Sequence, residues 1–147
     1  MARVTFVSMA SLLVLALLPL PAAAQALSGT WVTQDGSSRV EFKPCGTATC
    51  GLIVWLQEPM DAETHKPLVD KFNPDDALKS RPLLGVPIVE QVTPTGDQIF
   101  SAKLYNPEDG NSYSGAITLA GPDQMQLKGC ALAGLVCQSE TWTRAKP

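Results

Sequence analysis

An all-β fold is predicted: a small antiparallel up-and-down barrel of about eight strands, interrupted by one long loop that carries a short helix. Three observations predict it. Turn-forming residues recur roughly every ten positions, and between them lie short runs rich in Val, Ile, Thr, Phe, Tyr and Trp, the rhythm of a barrel or sandwich. In the later runs apolar and polar residues alternate with a period of two, which buries one face of each strand. The chain of 147 residues has single-domain length, and consecutive hairpin-linked strands close most economically into a barrel, which leaves no exposed edge.

The chain opens with Arg3 and an apolar run from Phe6 to Leu20, followed by Pro19, Pro21 and Ala22-Ala23-Ala24. This reads as a signal peptide, residues 1–24, cleaved before Gln25. An uncleaved anchor is the competing reading, but the run falls short of the roughly 20 apolar residues a spanning helix needs. No cysteine stands at the cleavage point, so a lipid-modified N-terminus is not expected. Residues 25–147 then form one barrel domain with no transmembrane segment of its own, exported to the periplasm or secreted. The leader holds one basic and no acidic residue, so a formal charge of −3 becomes −4 on cleavage. The remaining lysines and arginines are scattered, which argues against nucleic acid as a partner.

Strands are expected near Gly29–Thr33, Arg39–Lys43, Gly51–Leu56, Pro87–Val92, Gln98–Tyr105, Ser112–Leu119, Gln124–Lys128 and Gln138–Arg144. Phe100, Ala102 and Leu104 point one way while Ser101 and Lys103 point the other. Ile117 with Leu119, and Met125 with Leu127, repeat the pattern. The run Leu52–Trp55 is apolar on both faces and calls for cover on both sides. Pro94-Thr95-Gly96, Pro107-Glu108-Asp109-Gly110, Gly121-Pro122 and Gly129 supply the turns. The segment from Glu58 to Leu84 breaks the rhythm, with Pro59, Pro67, Pro74 and Pro82. Asn73-Pro74-Asp75 offers an N-cap and a first-turn proline for a short helix, Pro74 to Lys79, which could lie across a barrel mouth as a lid.

The chain has four cysteines, and an even number in an exported chain favours disulfides. Of three connectivities the spacing favours Cys45 with Cys50 and Cys130 with Cys137, because each pair brackets a glycine-containing turn. A four-thiolate zinc site lacks its usual short ligand spacing, and no metal is expected.

Gly29-Thr30-Trp31 near the start and Thr141-Trp142-Thr143-Arg144 near the end resemble the lipocalin and calycin barrels. That resemblance implies that Gly29 and Trp31 close the barrel base with Trp142 and Arg144, the arginine stem packing over the first indole. The physical logic is a guanidinium on a π-face, worth about 1 kcal/mol or more when desolvated. Nearly the whole chain after the leader also looks like the bacterial exported family "domain of unknown function 2147". The residues that carry this are Gly29-Thr30-Trp31, Cys45, Cys50-Gly51-Leu52-Ile53-Val54-Trp55-Leu56, Asp70, Asn73-Pro74-Asp75, Arg81-Pro82-Leu83-Leu84-Gly85, the stretch from Tyr105 to Tyr113, and Thr141-Trp142-Thr143-Arg144. Asn106 stands where an aspartate is expected after Tyr105. The family implies a lipocalin-like barrel and export, without an activity.

A candidate binding set follows: Asp70, Asn73, Arg81, Tyr105, Asp109 and Tyr113 could ring a mouth and orient a polar head group, while Trp55, Phe100 and Leu104 line an apolar interior. The bland reading is that Pro107 to Gly110 is turn chemistry and that Asn73 and Asp75 are caps. His65, the one histidine, falls in the loop with no nucleophile motif. Asp75 and Asp76 suit a helix N-terminus, and no hydrolase elbow, zinc-protease helix or phosphate loop is present. Neither an enzyme nor a cofactor is expected. The expected function is binding of one small, largely apolar molecule inside the barrel. The alternative is a protein-interaction barrel, such as a protease inhibitor or an envelope-associated partner, reading through the long loop. Small interior residues such as Ala102 and Gly115 would favour a ligand, a filled core the surface.

Overall fold

The computed structural model describes residues 26–146; the leader and its cleavage point lie outside them. Eight strands, β1 (Gly29–Val32), β2 (Ser38–Cys45), β3 (Ala48–Leu56), β4 (Pro87–Gly96), β5 (Ile99–Asn106), β6 (Asn111–Leu119), β7 (Gln124–Ala131) and β8 (Val136–Arg144), follow in chain order. Each pairs with the next, and β1 closes on β8 through Trp31 opposite Arg144 and Val32 opposite Thr143. The result is a closed antiparallel up-and-down barrel. Each strand runs antiparallel to the next, so alternate connections fall at opposite ends. The β1–β2, β3–β4, β5–β6 and β7–β8 connections share the end called here the mouth. The other three connections and both described chain ends share the base.

Directly opposed residues of an antiparallel pair face the same side, so register defines the interior. Phe100 opposes Ile117, which opposes Leu127. Ala102 opposes Gly115, which opposes Gly129, and Met125 opposes Trp142. The base half is solid. Leu27, Trp31, Val40, Phe42, Ile117 and Met125 are essentially inaccessible, with Phe100, Leu119 and Trp142 packed among them. Each large side chain so buried contributes about 1.5–3 kcal/mol relative to exposure.

The base is sealed by Trp31 and Arg144. The Trp31 ring is fully buried and its indole N–H donates to the Leu27 carbonyl at 2.9 Å. Arg144 lies 4.2 Å from the ring centroid. Its three guanidinium nitrogens donate to the carbonyls of Pro122, Ser28 and Ala26 at 2.7, 2.7 and 3.0 Å. Gly29 has φ +104°, and a Cβ there would stand 3.1 Å from Arg144 Nη1. Glycine in the Gly-x-Trp run therefore serves both the backbone and the approach of the arginine.

The cysteines pair as Cys45–Cys50, stapling the β2–β3 hairpin at the base, and Cys130–Cys137, stapling the β7–β8 hairpin at the mouth. Two disulfides fit a protein of an oxidising compartment, extracellular or periplasmic. No helix among the described residues is long and apolar enough to cross a membrane. The expected helix from Pro74 to Lys79 is a single 3-10 turn, Asp76–Leu78, with the Asp75 carboxylate accepting from the Ala77 N–H at 2.9 Å. The cap is Asp75 rather than Asn73, whose Oδ1 instead accepts from the Asp75 N–H at 2.9 Å in the turn that precedes it.

Candidate ligand-binding site

Above the solid half, the interior opens toward the mouth as a cavity of about 690 Å³. Ile53, Val89, Leu104, Leu127 and Trp142 make its apolar floor and walls, and polar side chains of three mouth hairpins surround its entrance. Glu140 belongs to the interior face, since it opposes Leu127 in the ladder and stands two residues before Trp142. The Trp142 indole N–H donates to Glu140 Oε2 at 3.0 Å. Gln138 continues the same face one step nearer the mouth, opposite Gly129.

The long loop is held beside this opening. No residue from Glu58 to Leu84 lines the cavity, so the loop is a buttress on the barrel flank rather than the expected lid. Its arms pair with each other through Val69 opposite Pro82 and through the Leu83 N–H on the Leu68 carbonyl at 2.9 Å. What pins it to the barrel is Asp70, whose side chain is wholly inaccessible. Asp70 Oδ1 accepts from the Tyr105 hydroxyl at 2.6 Å. Oδ2 accepts from Asn73 Nδ2 at 2.8 Å, Arg81 Nε at 2.9 Å and Arg81 Nη2 at 2.7 Å. Burial raises the Asp70 pKa, but the hydrogen bonds from Tyr105, Asn73 and Arg81, with the arginine's charge, outweigh it and hold the carboxyl below its ordinary value. Burial, and then the bond to Asp70, raise Tyr105.

A second contact docks the loop on the β5–β6 hairpin. Gly110 is buried with φ +72°, and a Cβ there would fall 1.8 Å from the Phe72 carbonyl oxygen. Gly110→Ala is expected to cost at least about 1–2 kcal/mol from the left-handed backbone alone and to push Phe72 off the hairpin. Faster proteolysis within residues 58–84 of the variant, at unchanged far-UV circular dichroism, is the measurement that checks this. Cleavage at the native rate would refute it.

The eight candidate binding residues thus separate. Asp70, Asn73 and Arg81 satisfy one another and Tyr105, and none of the three reaches the cavity. Tyr105, Asp109 and Tyr113 do line it, and the Tyr113 hydroxyl donates to the Asp109 carboxylate. That bond lowers the Asp109 pKa and raises that of Tyr113. Leu104 lines the cavity, whereas Phe100 belongs to the solid half. Trp55 is outside: it is 39% exposed, with the Arg39 guanidinium 4.9 Å from its ring centroid. A bulge moves it there. Arg39 opposes Trp55 but Val40 opposes Ile53, so Val54 is the extra residue and the alternation reverses beyond it. The space beside Gly115 is filled as well, since a Cβ there would meet Leu104 Cγ at 2.5 Å.

Asp35, Glu108, Gln138 and Glu140 line the cavity without having been singled out by sequence. Counting back in twos from Trp142 reaches Glu140 and Gln138, and that was the available signal for those two. Asp35 and Glu108 lie in turns, where no periodicity points inward.

The chain matches one family model and is similar to solved structures. A family model described as an uncharacterized protein conserved in bacteria (DUF2147) matches residues 29–144. Among solved structures, the chain is similar to Helicobacter pylori HP1028, described as belonging to the lipocalin family. The TM-score is 0.67 at 23% identity, covering 82% of this chain and 83% of that one. A redesigned β-barrel follows with a TM-score of 0.42 at 16% identity, over 85% of this chain and 96% of that one. No curated protein sequence matches.

Proposed function

The chain belongs to the DUF2147 family of bacterial proteins, and from that premise we propose that it is an exported carrier or sensor barrel that binds one small, largely apolar molecule. The observation that carries this is the cavity above the solid half. Its volume of about 690 Å³ falls within the roughly 300–1,000 Å³ of small-molecule sites. Its floor of Ile53, Val89, Leu104, Leu127 and Trp142 suits an apolar body. Residues 25–147 would be the working protein, released from a leader ending at Ala24, and the disulfides support that compartment.

Native mass spectrometry of the protein taken gently from the periplasm tests the reading. The expected result is a chain beginning at Gln25, four hydrogens lighter for its two disulfides, carrying an extra mass that is lost on denaturation. A bare mass in repeated preparations would overturn ligand carriage, and a mass that retains residues 1–24 would overturn cleavage.

One observation favours a second reading, a barrel that faces a protein partner. Leu132, Leu135 and Val136 at the β7–β8 tip are 71%, 85% and 53% exposed, and Met60, Phe72 and Leu84 are exposed on the long loop. A bare barrel mass would direct attention to these surfaces.

A further inference from the structure

Charge around the cavity is one-sided. Asp35, Glu108, Asp109 and Glu140 line the cavity, and no lysine, arginine or histidine does. None of these four carboxylates is in an ion pair among the described residues; elsewhere Glu41, Asp70, Asp76, Glu90 and Asp123 each have a lysine or arginine within 4 Å, while Glu58, Asp61, Glu63, Asp75 and Asp97 do not. A concave site lined by one sign of charge and walled by apolar side chains concentrates the field at its centre.

Glu140 is the one of the four on a strand rather than in a mouth turn, on the inward face of β8 and still exposed to solvent. Its Oε2 is held by the Trp142 indole N–H, and its other oxygen makes no hydrogen bond to the described residues. The bond to Trp142 fixes the carboxylate over the apolar floor. Tyr105, Tyr113 and Trp142 add aromatic surface to the same lining, and aromatic faces attract organic cations. A bare metal ion is the poorer fit, because no group of three metal-ligating side chains converges among the described residues. The four carboxylates come from the β1–β2 hairpin, the β5–β6 hairpin and β8.

We infer that the cavity selects an organic cation, a small molecule with an apolar or aromatic body on the floor and a protonated amine facing Glu140 and the mouth carboxylates. The inference rests on the ligand-binding reading above and names its substrate class.

Isothermal titration calorimetry of the purified protein with three probes sharing one naphthalene body tests it: 1-naphthylmethylamine, 1-naphthalenemethanol and 1-naphthylacetate, at neutral pH and low salt. The amine is expected to bind at least about tenfold more tightly than the alcohol, with the acetate weakest, and added salt should narrow the gap. Glu140→Gln and, separately, Glu108→Gln at the exposed rim should each reduce the amine-to-alcohol ratio by about threefold or more. Equal binding of amine and alcohol, or a preference for the acetate, would overturn charge selection while leaving the cavity as a binding site. Failure of all three probes to bind would overturn both.

Discussion

Replacing Asp70 with alanine is expected to destabilise the fold by about 3 kcal/mol, the lower end of what breaking a buried ion pair costs. Three donors lose their acceptor at once: the Tyr105 hydroxyl, the Asn73 amide and the Arg81 guanidinium. The lower end applies because the Arg81 side chain keeps 30% of its exposure and can turn toward water. Chemical denaturation reads the loss directly. Acid adds a second signature. The Asp70 carboxyl is held below its ordinary value in the folded state, so its contribution is complete above the unfolded-state pKa of about 3.9 and fades as pH falls through the lower folded value. The native protein should therefore lose stability more steeply below about pH 4 than Asp70→Asn, which carries no titrating group there. Parallel acid limbs for the two proteins, or an alanine variant within about 1 kcal/mol of native, would show that the clamp is not what holds the loop.

Trp31→Ala should cost more, about 3–5 kcal/mol. The ring is wholly buried at the closed base, so its removal leaves a cavity between Leu27 and the other core side chains. It also strands the Leu27 carbonyl and deprives the Arg144 guanidinium of the surface it lies on. Trp31→Phe separates the contributions, since it retains a ring and discards the N–H. It should recover more than half of the loss, and the urea midpoints of the two variants make the comparison. If phenylalanine is no better than alanine, the hydrogen bond rather than the packing holds the base.

Much of this architecture was legible in the sequence, and the reasons are local. Alternation along Phe100, Ala102 and Leu104 survives intact in the structure because β5 and β6 pair without interruption from Ile99 opposite Thr118 to Asn106 opposite Asn111. The cysteine pairs were legible because each brackets one turn. Trp55 was not, since a bulge leaves no mark on a period-two pattern until the partner strand is known. The role of Asp70 was also out of reach: its carboxylate meets a hydroxyl 35 residues away, and only the folded loop brings them together. Glu140 and Gln138 were passed over because charged and amide side chains on the inner face of a small barrel contradict the packing rule that identified the other strands. Sites of function are where such contradictions are expected.

The seal at the base has a consequence for how the molecule is made. Arg144 reaches back across 116 residues to the Ser28 carbonyl and across 118 to Ala26, and β1 has no second neighbour until β8 arrives. A growing chain cannot finish its circular hydrogen-bond ladder until β8 has been made. Until then β1 and β7 each present a bare edge, the arrangement most open to intermolecular pairing, and closing so long a loop makes the final step slow. The four residues that end β8, Thr141 to Arg144, act as the clasp of a bracelet. A truncation of that clasp would leave earlier hairpins and both disulfides chemically intact, yet yield a sheet with two ends in place of a barrel.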